Sequence, residues 1–207
     1  MSEPNLDADL LGKLGSEDPE FLNWLNEFDS KPLLNEALKR ALSNVSAKGV
    51  VFSINADGML EAKGNYSNTK EKNSITDIIS RVSERWQFEI LGIVTELLDY
   101  TFTIIKSDGE LILEAEEKGK SHPCDYIKVT KRGGEASLVF EHFKSRRDLD
   151  VETAKFLALA EKLGVKISIS ESNVSEGDAF PTEQRHSHSH GHHHHGDNHG
   201  HDHDHEE

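Results

Sequence analysis

Residues 88–97 read Phe88-Glu89-Ile90-Leu91-Gly92-Ile93-Val94-Thr95-Glu96-Leu97. Six of these ten side chains are large and apolar, and Ile90, Ile93, Val94 and Thr95 are β-branched, so the run predicts a buried strand. What lies on either side of it sets the fold class. Immediately upstream, Ile75, Ile78, Ile79, Val82 and Trp86 recur at helical spacing, with Asn73 or Ser74 as the expected cap. Immediately downstream, Tyr100–Ile105 and Glu110–Glu116 alternate around Ser107-Asp108-Gly109, a hairpin signal.

Further upstream, Pro32 suits the first turn of a helix, and Leu34, Ala37, Leu38, Ala41, Leu42 and Val45 mark its apolar face. Gly49 ends that pattern. Val50, Phe52 and Ile54 then alternate as a half-buried strand, Asn55-Ala56-Asp57-Gly58 turns the chain, and Met59–Lys63 returns. Further downstream, Tyr126–Thr130 and Ala136–Phe143 flank Lys131-Arg132-Gly133-Gly134, a third hairpin. Asp148 or Asp150 is placed to cap a helix carrying Ala154, Phe156, Leu159, Ala160 and Leu163. Gly164 closes it, and Val165–Ser170 is expected to end the body as a strand. Hairpins with helices set between them predict an α+β fold, an antiparallel hairpin-rich sheet with helices packed on one face.

The order helix, strand, strand, helix, strand from Lys31 to Leu97, with its hairpin centred on Asp57-Gly58, resembles the small αββαβ unit of BON-type domains. The resemblance concerns topology alone. The expected organisation is an acidic segment over 1–30, an α+β body over 31–170, divisible into halves at 97/98, and a linker and tail over 171–207. After Ser170 no apolar periodicity survives, so this last stretch is expected to be disordered.

Charge separates body from tail. The chain has 207 residues and a formal net charge of −15. From Glu171 onward nine acidic residues meet one basic residue, Arg185, which is −8 in 37 residues and leaves −7 for the other 170. That balance argues against nucleic acid and anionic membranes, both of which are approached through clustered Lys and Arg. Lys144-Ser145-Arg146-Arg147 is the nearest basic cluster, and acidic Asp148 and Asp150 follow it. There is no apolar leader after Met1 and no run of about 18 apolar residues, so the expected address is the cytoplasm, without a membrane anchor. One cysteine, Cys124, permits no internal disulfide.

The residues that carry chemistry are concentrated at the C-terminus. Eleven of the thirteen histidines are His186, His188, His190, His192, His193, His194, His195, His199, His201, His203 and His205. Much of this alternates, so in extended backbone neighbouring imidazoles share a side and converge on one ion. Imidazole suits nickel, zinc and copper, whereas all-oxygen sites suit magnesium and calcium; the absence of a thiol removes the usual site for copper(I). Nickel or zinc is the expected cargo in the cell, with copper(II) binding in vitro. This stretch resembles the histidine-rich segments of bacterial nickel and zinc accessory proteins: metallochaperones, hydrogenase and urease maturation factors, and zinc-uptake proteins. The resemblance covers the last twenty-three residues and implies metal storage or delivery to a protein client.

Two further groups stand out. Phe21, Trp24, Leu25 and Phe28 share one face of a short amphipathic helix, which either covers this protein's own core or docks in a partner's groove. The second option belongs to an alternative reading, an acidic protein-interaction or inhibitor module with a secondary tail. His122 and Cys124 precede one strand and His142 lies on a later one. If the strands pair, these three and Asp125 meet as a zinc site; otherwise Cys124 is a buried structural thiol beside two ordinary histidines. No P-loop, nucleophile elbow, dinucleotide fingerprint or His-Glu-x-x-His pair is present, so no catalytic residue is assigned.

Overall fold

A single long helix organises the body. The computed structural model describes residues 12, 14–121, 123–132 and 135–167. Helix α1 spans Pro19–Glu27 and helix α2 spans Lys31–Asn44. Strands β1 (Val50–Ile54) and β2 (Leu60–Gly64) form a two-stranded antiparallel sheet. Helix α3 then runs from Thr69 to Leu97, 29 residues. Strands β3 (Tyr100–Ser107), β4 (Glu110–Glu117), β5 (Tyr126–Arg132) and β6 (Glu135–Glu141) form a second antiparallel sheet in the order β3-β4-β5-β6. Helix α4, Arg146–Lys162, follows. The fold is α+β, with the helices on one face of the larger sheet.

The strand expected at 88–97 is the C-terminal third of α3. Its side chains are buried at every position from Phe88 to Thr95. A helix covered on all sides loses its polar stripe, so its sequence reads like a buried strand. Gly92 shows how closely α3 is covered, because a Cβ there would sit 2.3 Å from the Phe102 ring on β3. The cap also lies earlier than Asn73 or Ser74: Asn68 accepts the Glu71 amide at 2.9 Å, while Glu71 accepts the Ser67 amide at 2.6 Å.

Helix α2 lies along α3, where the Trp86 indole donates to the Leu34 carbonyl at 3.2 Å and Arg40 reaches Glu96 at 2.6 Å. The turn from β3 to β4 places Asp108 and Gly109 at φ 51° and 83°, the double left-handed geometry of a type I′ hairpin. Helix α4 is capped by Ser145, whose side chain accepts the Asp148 amide at 3.1 Å, so neither Asp148 nor Asp150 is the cap. Gly164, at φ 84°, ends α4 as expected, and the Val165 amide closes back on the Ala160 carbonyl. Residues 165–167 are not in a strand, and 168–170 lie outside the described residues.

One hydrophobic core joins the expected halves. It contains Leu34 and Ala37 of α2, Phe88, Ile90, Leu91, Ile93 and Val94 of α3, Leu113 and Ala115 of β4, Ile127 and Val129 of β5, and Phe156 and Leu159 of α4. Phe21 and Leu25 of α1 and Phe28 at its C-cap pack against it, so α1 is part of the same structure. The described residues, 12 to 167, belong to one compact unit. Among the described residues no helix is long and apolar enough to cross a membrane.

Candidate functional site

The eleven histidines from His186 to His205 lie outside the described residues, as does His122. Strands β5 and β6 do pair, with Tyr126 opposite Glu141. Cys124 is buried just before β5. His142 follows β6 in left-handed backbone (φ 67°), its Nε2 3.8 Å from the Glu141 carboxylate. Cys124, Asp125 and His142 form no three-ligand group, and among the described residues no three or more His, Cys, Asp or Glu side chains are arranged to hold a metal ion.

The aromatic face of α1 turns inward. Phe21, Leu25 and Phe28 are half-buried against the core, while Trp24 remains 42% exposed. Trp24 is held between Phe21 and Phe28, with ring centroids 5.6 and 4.9 Å away. Lys155 of α4 pins this helix: its Nζ is 2.9 Å from the Asp18 carboxylate and 5.2 Å from the Phe21 ring centre. The Lys155 ammonium and the Phe21 amide hold Asp18 below the usual carboxylate range. The face thus serves chiefly to cover the protein's own core.

Two arrangements were not singled out in the sequence. The first is at the sheet end beside α4, where Glu152, Asp125 and Glu117 act on Tyr100, and Asp148 acts on Asp125 and Glu152. Burial pushes the Glu152 carboxyl up to about 7, against the pull of Lys155; Asp125, Glu117 and Asp148 add to the rise. Burial also raises Asp125, and it raises the Tyr100 phenol far out of its normal range, with Glu152 adding to it. Glu152 occupies the same helical stripe as buried Phe156, Leu159 and Leu163, at i+4, i+7 and i+11. A carboxylate heading an apolar stripe was the available signal.

The second arrangement lies on the face of the larger sheet opposite the helices. Alternation along each strand puts Glu114 and Glu116 of β4, Tyr126 and Lys128 of β5, and Glu141 of β6 there. Glu116 stands opposite Tyr126, which stands opposite Glu141, while Glu114 stands opposite Lys128. These five residues line an open cleft of about 320 Å³. The Tyr126 phenol is pushed up to about 12, first by burial, then by Glu114, to which it donates a hydrogen bond, and by Glu141 and Glu116. Such a cleft can hold an organic cation, with an aromatic ring below it and carboxylates on its flanks. Neither arrangement has a motif in one dimension, because each is assembled from elements far apart in the chain.

Comparison with known protein families, characterised proteins and solved structures finds no match to this chain.

Proposed function

We propose that the protein is a cytoplasmic accessory protein that gathers divalent nickel or zinc through residues 185–207 and stores it or delivers it to a client protein. One observation carries this reading: eleven histidines stand within the twenty positions from His186 to His205, spaced by Ser, Gly, Asn and Asp. Neutral imidazole is a strong ligand for these ions, and interleaved aspartates add charge and oxygen donors. Alternating ligands offer several overlapping sites, so ions exchange among them. Ordering the chain around each ion costs conformational entropy, which favours capture and release over permanent retention. The folded body is the part suited to recognising the client.

The same imidazoles bind protons. With all eleven neutral, the stretch from Glu171 carries −8; with all eleven protonated it carries +3. Ordinary histidine titrates near about pH 6.5, so protons displace metal in mild acid.

Calorimetric titration of nickel, zinc and copper into the full chain and into a chain ending at Ser170 tests the reading. Multiple sites in the full chain that vanish on truncation and weaken in mild acid are the expected result. Binding of equal strength in both chains overturns the assignment to the tail. In cells, deletion of Arg185–Glu207 should impair growth or client activation when metal is scarce, and an unchanged phenotype would remove the physiological part of the proposal.

A further inference from the structure

The hairpin of β1 and β2 is a sheet of two strands, so among the described residues both of its long edges lack a strand partner. Its inner face rests on α3, where a Cβ on Gly64 would lie 3.0 Å from the Ile75 side chain. Its outer face sets Val51 and Ser53 of β1 opposite Lys63 and Glu61 of β2. Large apolar side chains also remain exposed on this hairpin: Val51 at 71%, Met59 at 64% just before β2, and Tyr66 at 53% just after it. An isolated two-stranded hairpin is marginal in water, and further strands stabilise it.

The backbone decides which edge atoms are free. The Asn55 amide donates to the Met59 carbonyl at 2.9 Å, which makes 55 and 59 a hydrogen-bonded pair. Such pairs alternate along an antiparallel ladder, so Ser53 with Glu61 and Val51 with Lys63 are hydrogen-bonded too. The Val50 amide fits this phase, since it donates to Ala47 outside the ladder. The N–H and C=O groups of Leu60, Ala62 and Gly64 therefore point away from β1, toward the open edge.

A strand added there must accept that phase and match Glu61 and Lys63. The sequence Leu60-Glu61-Ala62-Lys63-Gly64 does both for itself. Paired antiparallel with a second copy about Ala62, it sets Ala62 opposite Ala62 and Leu60 opposite Gly64, each a hydrogen-bonded pair. Glu61 of each copy then faces Lys63 of the other in non-hydrogen-bonded pairs, where side chains lie closest. The Asn55 side chain donates to one Glu61 oxygen at 3.2 Å and leaves the other for this contact. The same pairing brings the Met59 end of one strand to the Tyr66 end of the other, and a thioether against an aromatic ring is favourable. The opposite edge of the hairpin, β1, carries no charged residue to select a partner.

We propose that a second copy of this chain pairs with the open edge of β2, joining two hairpins into one four-stranded antiparallel sheet about a two-fold axis at Ala62. The pairing is independent of metal binding by residues 185–207 and goes beyond it.

The test is sedimentation of the full chain at rising concentration, to about 1 mM, with a chelator present so that metal cannot join two copies. A monomer–dimer equilibrium is expected, and the amides of Leu60, Ala62 and Gly64 should exchange with solvent more slowly in the dimer. Lys63→Glu puts like charges opposite each other and should weaken dimerisation about ten-fold, as should Glu61→Lys. Mixed in equal amounts, these two variants should associate about as tightly as the parent, because each offers the charges the other lacks. Lys106→Glu, on β3, should leave association unchanged, and circular dichroism reports whether each variant is folded. A parent that stays monomeric throughout, a dimer as tight in Lys63→Glu as in the parent, or mixed variants no better than either alone would each overturn the proposal.

Discussion

The two ends of α3 obey different rules, although one continuous helix contains both. From Thr69 to Trp86 the helix is amphipathic: Ile75, Ile78, Ile79, Val82 and Trp86 are at least half-buried, while Asn73, Thr76, Asp77 and Ser80 are exposed. From Phe88 to Thr95 every side chain is buried, including Glu89. The first end tolerates polar residues wherever they face water. The second must satisfy each polar group internally and fit each side chain against a neighbour on every side. Side-chain periodicity reports a boundary between core and solvent, and it disappears where that boundary does.

The most severe way to break this comparison is to unpair a charge at the buried end. Glu89 is 3% exposed, and the Arg85 Nε donates to its carboxylate at 3.0 Å. Arg85→Met should cost about 3–5 kcal/mol by leaving that carboxylate alone in the core. Replacing both, as Arg85→Met with Glu89→Leu, should recover most of the loss in urea denaturation. A double variant no more stable than the single one would show that the pair does more than neutralise a buried charge.

Gly92→Ala comes next. Helix propensity alone favours alanine by about 1 kcal/mol. The added methyl meets the Phe102 ring, so the variant should instead be destabilised by about 2 kcal/mol. Phe102→Leu in the same chain should reverse the sign by opening space. If Gly92→Ala alone proves stabilising, α3 and β3 are less closely packed than their contact implies.

Glu152 on α4 carries the comparison to a second helix, as a carboxylate in a buried stripe where burial outweighs its neighbouring cation. Its folded value of about 7 lies above the usual value of 4.5. The folded state therefore binds the extra proton between these values. Its stabilising contribution is complete below the lower value and is lost as pH rises through the higher one. Glu152→Gln should flatten that part of the stability profile, raising Tm relative to the parent at about pH 8 and not at about pH 4. Parallel profiles in the two proteins would remove Glu152 as the titrating group.

The smallest effect is expected at the exposed end of α3. Asn73→Ala should stabilise by about half a kcal/mol, the difference in helix propensity, because nothing packs there. A loss of stability would mean that Asn73 still serves as a cap and that the helix starts later than Thr69.

Much of the fold was legible because much of it is local. Pro32 and Leu34 to Ala41 mark α2 by turn position and helical repeat. Asp108-Gly109 marks a two-residue hairpin by its need for left-handed backbone, and Gly164 closes α4 for the same reason. Asn68, Asn73 and Ser74 are all chemically suited to cap α3, and the cap stands about one and a half turns before the expected one. Only the backbone path shows which amide each can reach. The face formed by Phe21, Leu25 and Phe28 was recognised, whereas its burial against the protein's own core depended on where α4 and Lys155 lie. For the site, the histidines of the C-terminal stretch announce metal chemistry by composition alone, since ligand type does not depend on a fold.

By itself the sequence determined the hairpins, the amphipathic helices, the α+β class and the chemical character of residues 186–205, because turn geometry, periodicity and ligand identity act within a few neighbouring residues. The tertiary structure alone decided that 88–97 is helix, that Glu152 shares a sheet end with Asp125 and Glu117, and that Tyr126 stands between Glu116 and Glu141. Those outcomes depend on strand register and on what covers each surface, and both are set by contacts between residues far apart in the chain.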